Sequence, residues 1–395
     1  MHMQFNENPD NNYFFSQPHQ PFFVLAFVNA IVMMLVFMLA YKGTIYIAIP
    51  STVFHVYGLT YLLFTPAFFG FLFTTFPRFA STPTIPKKVY MQIFGFFYMG
   101  AALFILGSIV SPIFSGIGML MVFGGHFSGM LVLRTIYKTT KMEDKHDIFW
   151  ILTAMKLGVF AHLLLIIGQF FYASFIGFAT EIAIYLYLFL LTFSVAQRMV
   201  PFFSHCIIDK NMLLLKVVFW LLVGHILLEG IYPGASFIVD LGLAALIGRE
   251  LLRWKLPFPN PNPLLMVLHI ALYWVPLAFL LGGLSSLVTM LSGINFLALN
   301  IHLLTLGFVF TILIGFGTRV TLGHSGNKMQ ADKWTTYLFY ATQLIVILRL
   351  LVSFSAAFGW NFMILFDITV TAWVLLLSIW AYRFFPVLIS GKKLT

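Results

Sequence analysis

The chain has 395 residues, of which 61% are hydrophobic and only 9% carry a formal charge, where a soluble domain carries about 25% charged residues. With a mean hydropathy of +0.97, this composition excludes a soluble enzyme or a disordered chain and indicates an all-α polytopic membrane protein. The net charge of +10 is spread through short loops, where it orients helices in a bilayer and does not point to nucleic acid, and the single Cys206 excludes an intrachain disulfide or a thiolate cluster.

In chain order, residues 1–21 read as a polar cytoplasmic segment without the basic start of a signal peptide. A membrane span needs roughly 20 apolar residues. Twelve stretches qualify: 22–41, 54–76, 89–110, 114–137, 148–168, 174–198, 212–232, 235–250, 262–283, 296–319, 335–358 and 362–384. The eighth is the shortest and is bracketed by Pro233 and by Arg249, Glu250 and Arg253. Residues 22–386 thus read as one transmembrane domain, followed by a cytoplasmic tail, 387–395. Pro21-Phe22-Phe23 ahead of the first span and Pro201-Phe202-Phe203 ahead of the seventh hint at a six-plus-six repeat of the kind transporters use.

Basic residues follow the even-numbered spans: Arg78, Lys87 and Lys88, then Arg134 to Lys145, Arg198 and Lys210, Arg249 to Lys255, Arg319 to Lys333, and Arg383 to Lys393. The other loops hold one, Lys42. The positive-inside rule then puts both termini in the cytoplasm.

That orientation sorts the histidines by depth. His55, His126, His162, His225 and His302 all fall in the outer half of the membrane, and His269 in the inner half. Ionisable groups inside a membrane are costly and usually line a site or an ion path, and imidazole is a common ligand of haem iron and copper. Gly58, Gly129 and Gly307 follow three of these histidines and would let a flat ring approach the backbone. Two readings stay open: a metal or haem site, or histidines that each bridge two helices by a hydrogen bond. Glu181 and Asp240 lie deep enough to pair with Arg349, Lys156 or Lys216. Arg349 is equally suited to an ion pair or to clamping a haem propionate. Carboxylates and histidines in a chain would carry protons.

Several motifs then resemble the NnrS family of bacterial membrane proteins. GFVFTILIGFGTRVTLGHSG, Gly307 to Gly326, follows His302 and contains Arg319 and the Leu322-Gly323-His324-Ser325-Gly326 segment. QRMVPFF, Gln197 to Phe203, contains Arg198, and PLLMVLHIALYW, Pro263 to Trp274, contains His269. HQPFF, His19 to Phe23, and the closing AWVLLLSIWAYRFFPVL fit as well. Where the family has His-x-His-Glu-Met, this chain has His55-Val56-Tyr57-Gly58-Leu59, so the second histidine is replaced by Tyr57.

The resemblance implies a haem- and copper-containing protein of the bacterial inner membrane, linked to nitric oxide and nitrosative stress. His55 and His302 would then be the first ligands to test, with His126, His162 and His225 as further ligands and His126 and Arg349 as cofactor contacts. A transporter of a small ligand and a quinol-linked reductase acting on nitric oxide are the alternatives, so the partners to consider are the lipid bilayer, nitric oxide and quinol. Whether the chain is an enzyme stays open. At the cytoplasmic surface, Arg319, His324 and Lys328 with two glycines suit an anion, or else Gly323 and Gly326 form a tight turn beside interfacial arginines.

Overall fold

A computed structural model describes residues 12–206 and 208–394; the expected polar segment therefore lies, over residues 1–11, outside the described part. Among the described residues there are helices and no strands. Eleven helices are long and apolar enough to cross a membrane: α1 (His19–Tyr41), α2 (Ser51–Phe79), α3 (Lys87–Val110), α4 (Pro112–Thr139), α5 (His146–Phe170), α6 (Phe175–Phe203), α7 (Leu214–Ile231), α9 (Pro263–Ser292), α10 (Leu299–His324), α11 (Lys333–Ala357) and α12 (Met363–Ser390). The eighth predicted span is also a helix, α8 (Phe237–Trp254). Asp240, Arg249, Glu250 and Arg253 leave it too polar to meet the same standard.

The helix boundaries follow local chemistry. Pro112 and Pro263 start α4 and α9 at positions where a missing N–H costs nothing. Ser111, Asn262 and Asp332 each accept an amide of the following first turn. At the other end of α1, the helix begins earlier than the hydropathy boundary: His19 and Gln20 are inside it and buried. Similarly α12 runs on to Ser390, with Val387 and Leu388 buried.

Three helices form the centre. In α2, α6 and α10 the α-helix widens to a π-helix over Gly58–Phe64, Ile182–Phe189 and Leu303–Phe310. The stretch in α6 packs on those in α2 and α10. Such widening strands backbone carbonyls, and a threonine takes one up in two of the three cases. Thr65 donates to the Thr60 carbonyl at 2.8 Å, and Thr311 to that of Leu306 at 3.0 Å. π-Helical turns are frequent at functional sites. The three helices stand four apart in the order of the twelve, and each has an arginine near its second end: Arg78, Arg198 and Arg319.

Around this centre the other helices pack in hairpins, chiefly α3 on α4 and α8 on α9, with α1 against α2 and α12. The α3–α4 contact is close because it is lined by glycine: a Cβ at Gly118 would lie 2.4 Å from the Phe104 amide nitrogen. The first and last described segments meet at one end of the bundle, where a Cβ at Gly391 would lie 2.9 Å from the Tyr13 ring. Lys393 Nζ donates to the Ser325 carbonyl, and Tyr90 donates its hydroxyl to the Phe15 carbonyl at 2.8 Å. This is also the end with the three arginines, called the basic end below.

Candidate functional site

The five histidines expected in one layer divide into three separate groups. The first joins α2 to α10. The His55 and His302 rings lie 6.2 Å apart between centroids and are inclined by 24°. A ligated ion sits about 3 Å from each imidazole centroid, given a metal–nitrogen bond of about 2 Å, so the centroids are no farther apart than two imidazoles on one ion allow. Phe37 covers His55 at 4.3 Å, and the His55 Nδ1 atom is buried without a partner. A buried polar atom left unpaired costs about 1–3 kcal/mol.

Arg349 of α11 closes this group. It donates to the Leu297 carbonyl at 2.6 Å and to Ser353 Oγ, and its Nη2 is 3.1 Å from His302 Nδ1. The same Nδ1 is 2.9 Å from the Ala298 carbonyl. It therefore stands between an acceptor and a donor, and both neutral tautomers have a partner. Only the one that donates to Ala298 leaves the Nε2 lone pair free for an ion.

The second group lies between α2, α4 and α5. His126 and His162 are fully buried, with their Nδ1 atoms 3.2 Å apart. Two assignments of protons fit these contacts. In one, Tyr57 donates to His162 Nε2, His162 Nδ1 to His126 Nδ1, and His126 Nε2 to the Met155 sulfur. In the other, Tyr57 donates to the Met119 carbonyl at 3.2 Å, and its oxygen accepts from His162 Nε2 at 2.9 Å. His162 Nδ1 then has a lone pair, which accepts from His126 Nδ1. That leaves His126 Nε2 as a bare lone pair 3.2 Å from the sulfur of Met155. An imidazole nitrogen and a thioether facing each other without a proton between them are a soft donor pair. Tyr61 stacks on His162 at 3.8 Å, and its hydroxyl is buried without a partner. Tyr57, which stands where the resemblance expects a histidine, thus takes up His162, whose two ring nitrogens are both engaged.

The third group holds His225, Asp240 and Glu181. Asp240 Oδ1 is 2.6 Å from His225 Nδ1, and Glu181 Oε2 is 3.5 Å from His225 Nε2. The two carboxylates therefore meet on His225, and not on Arg349, Lys156 or Lys216 as the sequence suggested. The short connection between α7 and α8 sets His225 beside Asp240, fifteen residues on.

The glycines next to the histidines do not leave open space for a flat ring. A Cβ at Gly58 would meet the methyl of Met33 and one at Gly129 the ring of Phe69 at 2.5 Å. At Gly307 it would meet Trp274 at 2.8 Å. These glycines admit bulky neighbours of the same chain, which is how helices without a hydrophobic drive to associate come close in lipid.

At the basic end the predicted residues serve mainly as struts. His269 Nε2 is 2.7 Å from Ser204 Oγ, which ties α9 to the end of α6. Arg198 donates to Asp147 at 2.6 Å and lies over the Phe79 ring at 4.6 Å. Arg319 lies over the Phe203 ring at 4.2 Å, with its Nε buried and unpaired. His324 pairs with Gln17 at 2.7 Å and packs on His19. Arg319 to His324 is helical, so Gly323 needs no special backbone angle, whereas Gly326 has φ +67° in the turn that follows. In the loop before α5, the His146 amide, with Lys210 beside it, holds the Asp144 carboxyl below its ordinary range.

Met155 and Tyr61 were not singled out from the sequence. A methionine in an apolar helix carries no signal of its own, and only its spacing of seven from His162, two turns on one face, could have marked it.

No group of three or more His, Cys, Asp or Glu side chains converges on one point among the described residues. A cofactor would therefore rest on pairs of imidazoles supplemented by other donors. The model of the family described as NnrS protein matches residues 13–392, nearly the whole chain. No curated protein matches the chain.

Proposed function

Since the chain belongs to the NnrS family of membrane proteins, we propose that it is a haem- and copper-binding protein of the bacterial inner membrane that acts in tolerance of nitric oxide. The reading rests above all on the His55 Nδ1 atom, buried without a partner in a place where such an atom is costly. His55 and His302, on two of the three central helices, are the pair suited to a haem iron. Arg349 beside them is suited to a propionate through its planar guanidinium. His126 Nε2 and Met155 Sδ are suited to monovalent copper, which favours thioether and imidazole donors. His162 and Tyr57 act on that site through their protons: when Tyr57 accepts from His162, the His126 nitrogen facing Met155 is the bare one.

The protein's own part in this is positional. His55 and His302 each lie just ahead of a π-helical turn, in α2 and in α10, and the ring of Phe37 covers the His55 imidazole. Bound haem iron and copper would supply the redox chemistry. The positive-inside rule puts both termini in the cytoplasm and the His55–His302 pair in the outer half of the membrane.

The deciding experiment is a visible absorption spectrum with metal analysis of protein purified from its native membrane. A Soret band that disappears in His55→Ala and in His302→Ala, while both variants reach the membrane folded, is the expected result. Met155→Leu is expected to lose copper and keep haem. A folded, colourless wild-type protein free of copper would overturn the reading.

A further inference from the structure

Glu181, His225 and Asp240 belong to neither imidazole pair, and their arrangement is directional. Side-chain exposure falls from 22% at Glu181 to 2% at Asp240 and 0% at His225. His225 Nδ1 makes a short contact of 2.6 Å with Asp240, whose other oxygen accepts from Ser236 at 3.3 Å. On the opposite side of the ring, His225 Nε2 and Glu181 Oε2 face each other at 3.5 Å, both buried and without a hydrogen-bond partner. A static ion pair would close that gap, because two charges that pay for desolvation need good geometry to recover the cost. Here one side of the imidazole is engaged and the other is left open.

The surroundings fit a mobile proton. Tyr185 of α6 lies 4.0 Å from the His225 ring, and its hydroxyl accepts from Asn300 of α10 at 3.1 Å. Glu229, one turn beyond His225 on α7, is turned away, with both carboxylate oxygens on the Gly234 amide. The face of α9 against Asp240 is glycine: a Cβ at Gly283 would lie 3.0 Å from the Asp240 Cβ, and one at Gly282 would lie 2.9 Å from that of Asn300.

We propose that Glu181, His225 and Asp240 form a proton relay that opens at the end of the bundle opposite the basic end and stores a proton on Asp240. A proton binds Glu181. The Glu181 O–H bond breaks as a His225 Nε2–H bond forms, and the His225 Nδ1–H bond breaks as an Asp240 O–H bond forms. One proton is displaced, Glu181 is again a carboxylate, and no electrons move. Return of the proton along the same path, from Asp240 to Nδ1 and from Nε2 to Glu181, restores the starting tautomer. The relay stands independently of haem or copper.

The test is a pH jump on proteoliposomes of the full chain adsorbed to a solid-supported membrane, read as a transient charge displacement. The wild type gives a transient on acidification. Glu181→Gln and His225→Gln lose it, Asp240→Asn loses it, and Glu181→Asp restores it. Where a variant does not fold, ¹⁵N spectra of histidine-labelled wild type decide the matter: the relay requires a singly protonated His225 that changes tautomer with pH. A Glu181→Gln transient equal to that of the wild type overturns the relay. So does the lack of a transient in the wild type, or a His225 doubly protonated at every pH, which is the mark of a structural ion pair.

Discussion

The central helices and the outer ones differ in burial far more than in apolarity. In α2, 89% of the most apolar window is buried, against 33% in α7 and in α12. The mean hydropathy of those windows is 1.6 for α2, 1.9 for α7 and 2.0 for α12. The most deeply buried helix is thus the least apolar of the three. Lipid tails are as apolar as leucine, so burial inside a membrane protein gains nothing from hydrophobicity alone. Helices go to the centre when they have polar groups to satisfy and small residues that allow close approach. The π-helical turns of α2, α6 and α10, with Tyr57, Tyr61, Tyr185 and Tyr187 beside them, are where this chain concentrates both.

The sharpest way to break that contrast is to overfill the centre and the rim in the same manner. Gly158 of α5 faces the fully buried Tyr187, and a Cβ there would come within 2.5 Å of the ring. Gly158→Leu is expected to cost about 3 kcal/mol, the upper range for overpacking a filled core. Gly95 of α3 has nothing within 4 Å of its Cβ position, so Gly95→Leu is expected to be neutral. Thermal unfolding in detergent followed by fluorescence-detected size exclusion compares the two. Equal losses in midpoint would mean that the centre is not more tightly packed than the rim.

A somewhat smaller effect belongs to Asp147, at the basic end. It is 5% exposed and receives Arg198 at 2.6 Å, Lys210 at 2.9 Å and Gln197 at 3.1 Å. Removing one partner of a buried ion pair costs about 3–5 kcal/mol. Arg198 and Lys210 keep about a third of their side chains exposed, so water would take up part of the loss. Asp147→Ala is therefore expected to cost about 2 kcal/mol by that scale. By contrast, Lys42→Ala, which breaks an exposed pair with Asp367 at the other end, is expected to change the unfolding midpoint little.

Tyr57→Phe probes the second imidazole pair. It removes the hydroxyl that meets the Met119 carbonyl and His162 Nε2, so a buried ring nitrogen is left unpaired at a cost of about 1–2 kcal/mol. Its more specific effect is on copper. Without Tyr57, His162 is free to carry its proton on Nδ1, and His126 is then free to turn its own proton toward Met155. Copper content is expected to fall in Tyr57→Phe while the protein stays folded. Full copper retention would show that the proton assignment does not control the site.

How far the sequence reveals these features depends on the kind of signal each leaves. The twelve helices are legible because a run of twenty apolar residues leaves a signal wherever it occurs. The polar eighth stretch is legible as the weak one for the same reason, through Arg249 and Glu250. Which face of an apolar helix turns inward leaves almost no trace, since the faces are alike. For that reason His126 and His162 could be named but not paired, Met155 went unnoticed, and Glu181 and Asp240 were matched with arginine and lysine when they meet on His225. The glycines beside the histidines were visible, but their neighbours Met33, Phe69 and Trp274 lie on other helices and no local pattern joins them.

The smallest effect sharpens the contrast at a single helix start. Asp332 caps α11 by accepting the Thr335 amide at 2.9 Å, and it also receives Arg383 of α12. Burial alone would raise its carboxyl pKa; the Thr335 hydrogen bonds and the Arg383 charge outweigh that and hold it below the ordinary value. A carboxyl with a depressed folded pKa stabilises the native state fully above its unfolded pKa, about 3.9. That contribution is lost as pH falls through the lower folded value. Asparagine caps a helix about as well as aspartate, so Asp332→Asn removes the charge and keeps the cap. At neutral pH the loss is expected to be a few tenths of a kcal/mol, as for an exposed ion pair, whereas Asp332→Ala removes both and is expected to cost about 1 kcal/mol. On acidification the wild type should converge on Asp332→Asn, while Asp332→Ala stays below both. Unfolding midpoints of the three proteins against pH give the answer, and a constant gap between wild type and Asp332→Asn down to strongly acid pH would mean that the Asp332 charge does nothing for this helix start.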